Sequence, residues 1–195
     1  LADGALGQMM EKVSFKDYDI EAHRVPKPWA TTGKTPDRKR NIITSLHIDP
    51  DAMERINLHL QEKYRTIALN EVRWQEVMTD DAEWLLVAYG LAARIAHRAV
   101  ELAREQGIRA GLLRPITLFP FPSEPIANLA ARTRGILTVE MNAGQMVEDV
   151  RLAVNGRVPV SFYGRMGGVI PSPEEVLHHL AGLVAKDHMH SVEAY

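Results

Sequence analysis

The sequence contains no cysteine among its 195 residues. It therefore forms no disulfide and supplies no thiolate to an iron-sulfur cluster, so any such cluster has to sit on another subunit. A strong charge of either sign is also missing: 23 Lys and Arg stand against 25 Asp and Glu, a formal net charge of -2. Binding along a phosphate backbone calls for a concentrated basic surface, so nucleic acid is not the expected partner. The sequence has no run of about 18 apolar residues and no charged-then-apolar leader, which argues against a membrane span or signal peptide and makes the cytoplasm the default compartment. What is present is 46% hydrophobic content, enough at this length for one sizeable core with an appended segment.

The opening LADGALGQMMEKV does not start with methionine. Leu1-Ala2 reads as a strand end, Asp3-Gly4 as a turn, and the following residues to Val13 as a helix. A strand end with nothing before it to pair leads us to expect an upstream part, lost from a fragment or removed by processing. Residues 14–48, rich in Pro, Lys, Arg, Asp and Thr, read as a long linker. Asp49-Pro50 then gives an N-cap and a first-turn proline, and Met53, Ile56, Leu60, Tyr64, Ile67, Trp74 and Met78 recur at helical spacing. That periodicity predicts one bridging helix over 49–78, roughly 40 Å long, with its stripe interrupted at Glu71.

From residue 79 to 186 the pattern alternates. Apolar strands are expected at Ala82–Gly90, Arg109–Ile116, Gly135–Met141 and Val158–Gly164, and helices at Leu91–Gln106, Pro122–Arg132, Gln145–Val154 and Ser172–Ala185. Gly107 is placed to stop the first of these helices, and Ser172, Pro173 and Glu175 make a capping-box start for the last. Strands buried on both faces and separated by helices predict an α/β three-layer sandwich with a mostly parallel sheet. Residues 187–195 are expected to be a tail.

In such sheets ligands and partners gather at the carboxyl ends of the strands. Arg114, Glu140, Asn142, Gln145 and Arg165 fall there, and the first four are read as a possible network at one edge: a recognition surface, or simply caps and salt bridges holding loops. No nucleophile stands beside a recognisable base and orienter. Thr31–Thr35 (TTGKT) has the Gly-Lys-Thr of a phosphate loop without its upstream glycine, preceding strand or following helix, and reads as linker. Gly164–Gly168 (GRMGG) reads as a turn, because the next helix opens with its own carboxylates. The pairs His178-His179 and His188/His190 lack the arrangement of a metal site. Two similar units, LADGALGQMME and VEMNAGQMVED, each place a Gly-Gln-Met turn after a strand end.

Taken together, LADGALGQMMEKV, KPWATTGK, LLRPITLFPFP and VEMNAGQMVEDVRLAVNGRVPVSFYGRMGGVIPSPEEVL resemble the C-terminal part of the α, or pyrimidine-domain, subunit of 2-oxoacid:ferredoxin oxidoreductases, and most of all the 3-methyl-2-oxobutanoate (2-oxoisovalerate) type, with the 2-oxoglutarate type related. The resemblance implies that residues 1–13 end the pyrimidine-binding domain and that 79–186 are similar to the transketolase C-terminal domain. It implies an enzyme that decarboxylates a 2-oxoacid on thiamine diphosphate with Mg2+, passes electrons through iron-sulfur clusters to ferredoxin and releases acyl-CoA. It places diphosphate and cluster mainly on a partner β subunit, with a γ subunit completing the complex. The family's Tyr-Pro-Ile-Thr-Pro substrate motif is absent from this stretch, so the chain alone is expected to be inactive. Carried over as interface or site-supporting positions are Asp3, Gly4, Gln8, Glu11, Arg114, Glu140, Asn142, Gln145 and Arg165, none of them catalytic and none a metal ligand. Two other readings stand beside this one: a stand-alone α/β ligand-binding or protein-interaction module, and a transketolase-like or pyruvate-dehydrogenase-like relative with a different electron acceptor.

Overall fold

The computed structural model of the chain describes residues 4–15 and 17–193. It divides into two compact units, one made of Leu1–Met9 with Thr66–Tyr195 and the other of Met10–Arg65. In the second unit a polar turn forms at Asp19, whose carboxylate accepts the Ala22 N–H, and Tyr18 stacks on His23 at 4.5 Å. Thr31–Thr35 leads into an isolated bridge between Thr35 and Arg38 and not into a helix. Helix α2, Pro50–Asn70, begins here and is N-capped by Asp49, whose carboxylate accepts the Ala52 N–H at 3.0 Å.

The expected helix over 49–78 stops at Asn70, and Trp74–Val77 form strand β1 instead. Trp74, Val77 and Met78 match a helical period, but WQEV alternates equally well, and the free edge of a neighbouring strand offers it ladder hydrogen bonds. The break falls next to Glu71, where the apolar stripe was interrupted. Asn70 turns its amide back onto the Thr66 carbonyl at 2.7 Å in the last helical turn. Two further expectations change at the ends of the chain. Helix α1 is only Gly4–Gly7 and does not reach Val13, as two glycines in four residues make a poor helix. The closing helix α6 runs Pro173–Glu193, so 187–193 continue it; Asp187 in this extension pairs with Arg134 at 3.1 Å. The strand end Leu1-Ala2 and Asp3 lie outside the described residues.

The remaining elements are β2 Trp84–Ala88, α3 Gly90–Glu105, β3 Ala110–Pro115, α4 Ser123–Ala130, β4 Gly135–Glu140, α5 Met146–Val154 and β5 Val160–Gly164. The sheet order is β1-β3-β2-β4-β5, parallel throughout except for antiparallel β1 at the edge. Central β2 is buried along its whole length because both faces are covered. Its side chains alternate: Leu86 and Ala88 pack with α3 and α6, Leu85 and Val87 with α4 and α5. Each fully buried leucine of this strand contributes about 1.5–3 kcal/mol by leaving water, and Leu86→Ala would leave a cavity between sheet and α3. The result is a helix–sheet–helix sandwich, as the alternation of the sequence predicts.

Candidate functional site at the carboxyl edge of the sheet

The order β3-β2-β4 makes β2 the point where chain direction across the sheet reverses. The chain leaves β2 for α3 on one face and β4 for α5 on the other, so the loops after Ala88 and after Glu140 flank the crevice where doubly wound sheets take ligands. The loop after β4 is unusually well tied. Glu140, the last residue of the strand, is wholly buried. Its carboxylate accepts the backbone N–H of Met146 at 2.9 Å, of Val147 at 3.0 Å and of Gln145 at 3.3 Å, together with the Asn142 side-chain amide at 3.0 Å. Asn142 in turn accepts the Gly144 N–H at 2.7 Å. A buried carboxylate is tolerated here because helix N-terminal N–H groups and their aligned dipoles balance it.

Two glycines make this closure possible. Gly144 has φ +104°, a conformation that side chains resist, and Gly164 has no room for a Cβ against the Phe162 ring and the Asn142 carbonyl. The next loop, from β5 to α6, is thereby held against the first, and the Arg165 N–H donates to the Glu140 carbonyl at 3.2 Å. The Arg165 guanidinium meets Glu175 at 2.8 Å. Glu175 closes the expected capping box: it accepts the Ser172 N–H at 2.8 Å and donates its own N–H to the Ser172 hydroxyl. The Ser172 N–H, then the Arg165 charge, holds the Glu175 carboxyl below the ordinary carboxylate range. Beyond Arg165 the loop exposes Met166, Val169 and Ile170.

Of the positions read from sequence, Glu140, Asn142, Gln145 and Arg165 come together. Arg114 does not join them: it lies on β3, on the far side of β2, where it donates to the Gln75 side chain of β1 at 3.2 Å. Gly4 opens α1, which packs on α3, and Gln8 is exposed just after it; Glu11 is exposed in the Met10–Arg65 unit. Phe162, Gly144 and the apolar Met166–Ile170 loop are members of the site that sequence reasoning missed. A second concavity, about 670 Å³, lies between β1 and α4 and is lined by Trp74, Phe121, Pro122, Pro125 and Leu129. Its signal was the cluster of aromatics and prolines at 119–125, hidden while Trp74 was assigned to a helix. Among the described residues no group of three or more His, Asp or Glu side chains converges as a metal site would.

Comparison with known proteins agrees with this architecture. The ketoisovalerate oxidoreductase subunit VorB of Methanothermobacter marburgensis is 46% identical over 180 residues, 92% of this chain and 50% of that protein. The 2-oxoglutarate synthase subunit KorA of the same organism is 33% identical over 94% of this chain and 55% of its own length. The chain thus spans about half the length of the curated relatives it matches. A solved 2-oxoglutarate:ferredoxin oxidoreductase from Magnetococcus marinus, with 2-oxoglutarate, coenzyme A and succinyl-CoA bound, shares the fold. Its TM-score is 0.61 over 76% of this chain and 27% of that one, at 15% identity. Residues 82–176, which hold the sheet from β2 to β5 and the Glu140 loop, match the family model described as pyruvate:ferredoxin oxidoreductase core domain II.

Proposed function

We propose that this chain is part of the α subunit of a 2-oxoacid:ferredoxin oxidoreductase, a cytoplasmic thiamine-diphosphate enzyme that oxidatively decarboxylates a 2-oxoacid to acyl-CoA. The observation that carries the reading is the 46% identity to a ketoisovalerate oxidoreductase subunit along 92% of the chain. The 33% identity to a 2-oxoglutarate synthase subunit is lower, which favours a branched-chain 2-oxoacid as substrate. On this reading residues 1–13 end the pyrimidine-binding domain, 14–48 link, and 79–186 are the transketolase C-terminal-like domain.

The residues of this chain do not fit the cofactors such a complex uses. It has no cysteine for a cluster, its described acidic and histidine side chains do not converge, and the N–H groups opening α5 already hold Glu140. On this reading thiamine diphosphate, Mg2+ and the iron-sulfur clusters lie mainly on the partner β subunit, with a γ subunit, ferredoxin and CoA as the further partners. This chain supplies assembly surface and support. Exposed Met166, Val169 and Ile170 lie on a loop braced against a rigid neighbour that carries Asn142 and Gln145. Desolvating such adaptable apolar side chains suits a subunit contact.

The test uses the full-length subunit with its partners. Co-purification with a cysteine-bearing subunit and CoA-dependent dye reduction driven by 2-oxoisovalerate are expected, with Gln145→Ala or Asn142→Ala weakening assembly or turnover while the fold stays intact. A subunit that remains alone and reduces no dye with any 2-oxoacid would overturn the reading.

A further inference from the structure

We infer that Glu140 is a built-in anion that fills the phosphate seat of this sheet, so that no cofactor phosphate binds at α5, and that it thereby positions Gln145. In a doubly wound sheet the strand–loop–helix at the switch point offers an anion a row of backbone N–H groups at the helix start. Here the row is complete: the N–H groups of Gln145, Met146 and Val147 all point to one place, and both oxygens of the Glu140 carboxylate stand in it. The Asn142 amide supplies a further donor. The described partners of this carboxylate are all N–H groups, the donor set a phosphate would receive. Gly144, at φ +104°, turns the loop around the carboxylate, and the Phe162 ring lies within 3.6 Å of where its Cβ would be. The seat is therefore closed from within, and its rigid base carries the exposed Gln145 side chain outward.

The inference extends the proposed function by fixing where cofactor phosphates do not go. Its test needs no turnover, so the two readings can fail separately. Amide hydrogen exchange at residues 145–147 is followed in the full chain and in Glu140→Ala, with and without sodium formate, inorganic phosphate or inorganic diphosphate. The wild-type amides should be protected and indifferent to all three anions. In Glu140→Ala they should exchange about 10- to 100-fold faster, as expected for losing charge-assisted bonds, and formate or phosphate should slow them again in a saturable way. Should Glu140→Ala fail to fold, Glu140→Gln keeps the shape and removes the charge; faster exchange confined to 145–147, with β2 and β3 unchanged, is then the expected result. Protection of the wild-type amides by diphosphate, exchange in either variant at the wild-type rate, or Glu140→Ala amides that no anion slows would each overturn the inference.

Discussion

The two ends of the sheet are finished in different ways. At the amino ends of the parallel strands the loops are laced with ion pairs: Arg104 with Asp81 at 2.6 Å, Arg109 with Glu83, and Arg134 with Asp187 at 3.1 Å, the last through a buried carboxylate oxygen. At the carboxyl ends one carboxylate, Glu140, is wholly buried and met by N–H groups, while on the neighbouring loop Arg165 pairs with Glu175 and Met166, Val169 and Ile170 are exposed. The Asp81 and Glu83 carboxylates of the amino end meet water, where a pair contributes little. The carboxyl end holds its one buried charge on backbone N–H groups and leaves apolar side chains exposed beside a single ion pair.

The sharpest way to break this contrast is Glu140→Ala. Its donors would be left buried without partners, and a loss of about 3 kcal/mol or more is expected, read from the midpoint of urea unfolding. A loss below about 1 kcal/mol would put this end on a par with the ion-paired one. Next comes Gly164→Ala. The added Cβ meets the Phe162 ring and the Asn142 carbonyl, so the loops after β4 and β5 must part. Overpacking of this kind costs about 1–3 kcal/mol. Gly156→Ala is the complementary change: a Cβ there meets nothing within 4 Å but φ is +74°, so it carries backbone strain without a clash, whereas Gly164→Ala carries the clash alone.

The sandwich was legible in the sequence because its strands are continuous apolar runs divided by helical periods, a signal that survives without tertiary information. The site was legible only in part, and the repeated Gly-Gln-Met unit shows why. At Gly144-Gln145-Met146 the unit opens a helix and Met146 is buried; at Gly7-Gln8-Met9 it ends one and Met9 is half exposed near Arg94. The local sequence is the same, yet at the second unit the buried Glu140 carboxylate at the preceding strand end collects the N–H groups of the helix start; the residues before the first unit lie outside the described residues. Strand β1 was misread for a related reason: Trp74–Val77 fit either period, and only the free edge of β3, distant in sequence, selects the strand. Arg114 was grouped with Glu140 because both end strands, but strand order cannot be read from the chain, and β2 lies between them.

A smaller effect is expected at the start of α6. Ser172→Ala removes the hydroxyl that accepts the Glu175 N–H and leaves the return bond to Glu175 in place, so about 1 kcal/mol should be lost. Because Glu175 also holds Arg165, the same substitution should loosen the Met166–Ile170 loop, visible as faster exchange at Arg165. Equal loosening at the amino-end loops would show that the two ends are not independent.

The smallest effect at neutral pH belongs to the amino end, and it has a pH signature. The Arg104 hydrogen bond, opposed by partial desolvation and helped by the Arg104 charge, holds the Asp81 carboxyl below its ordinary value. A carboxyl depressed in the folded state contributes stability above its unfolded pKa of about 4, and that contribution disappears as pH falls through the lower folded value. Asp81→Asn should therefore melt slightly below the wild type near pH 7, and the gap should close on acidification through the range below about pH 4. Added salt should narrow the gap at pH 7 as well, since the carboxylate is exposed and screened. A gap that held constant from pH 7 to pH 3 would mean that Asp81 acts through its shape and not its charge. In that case the amino end would owe its order to packing, as the carboxyl end owes its order to Glu140.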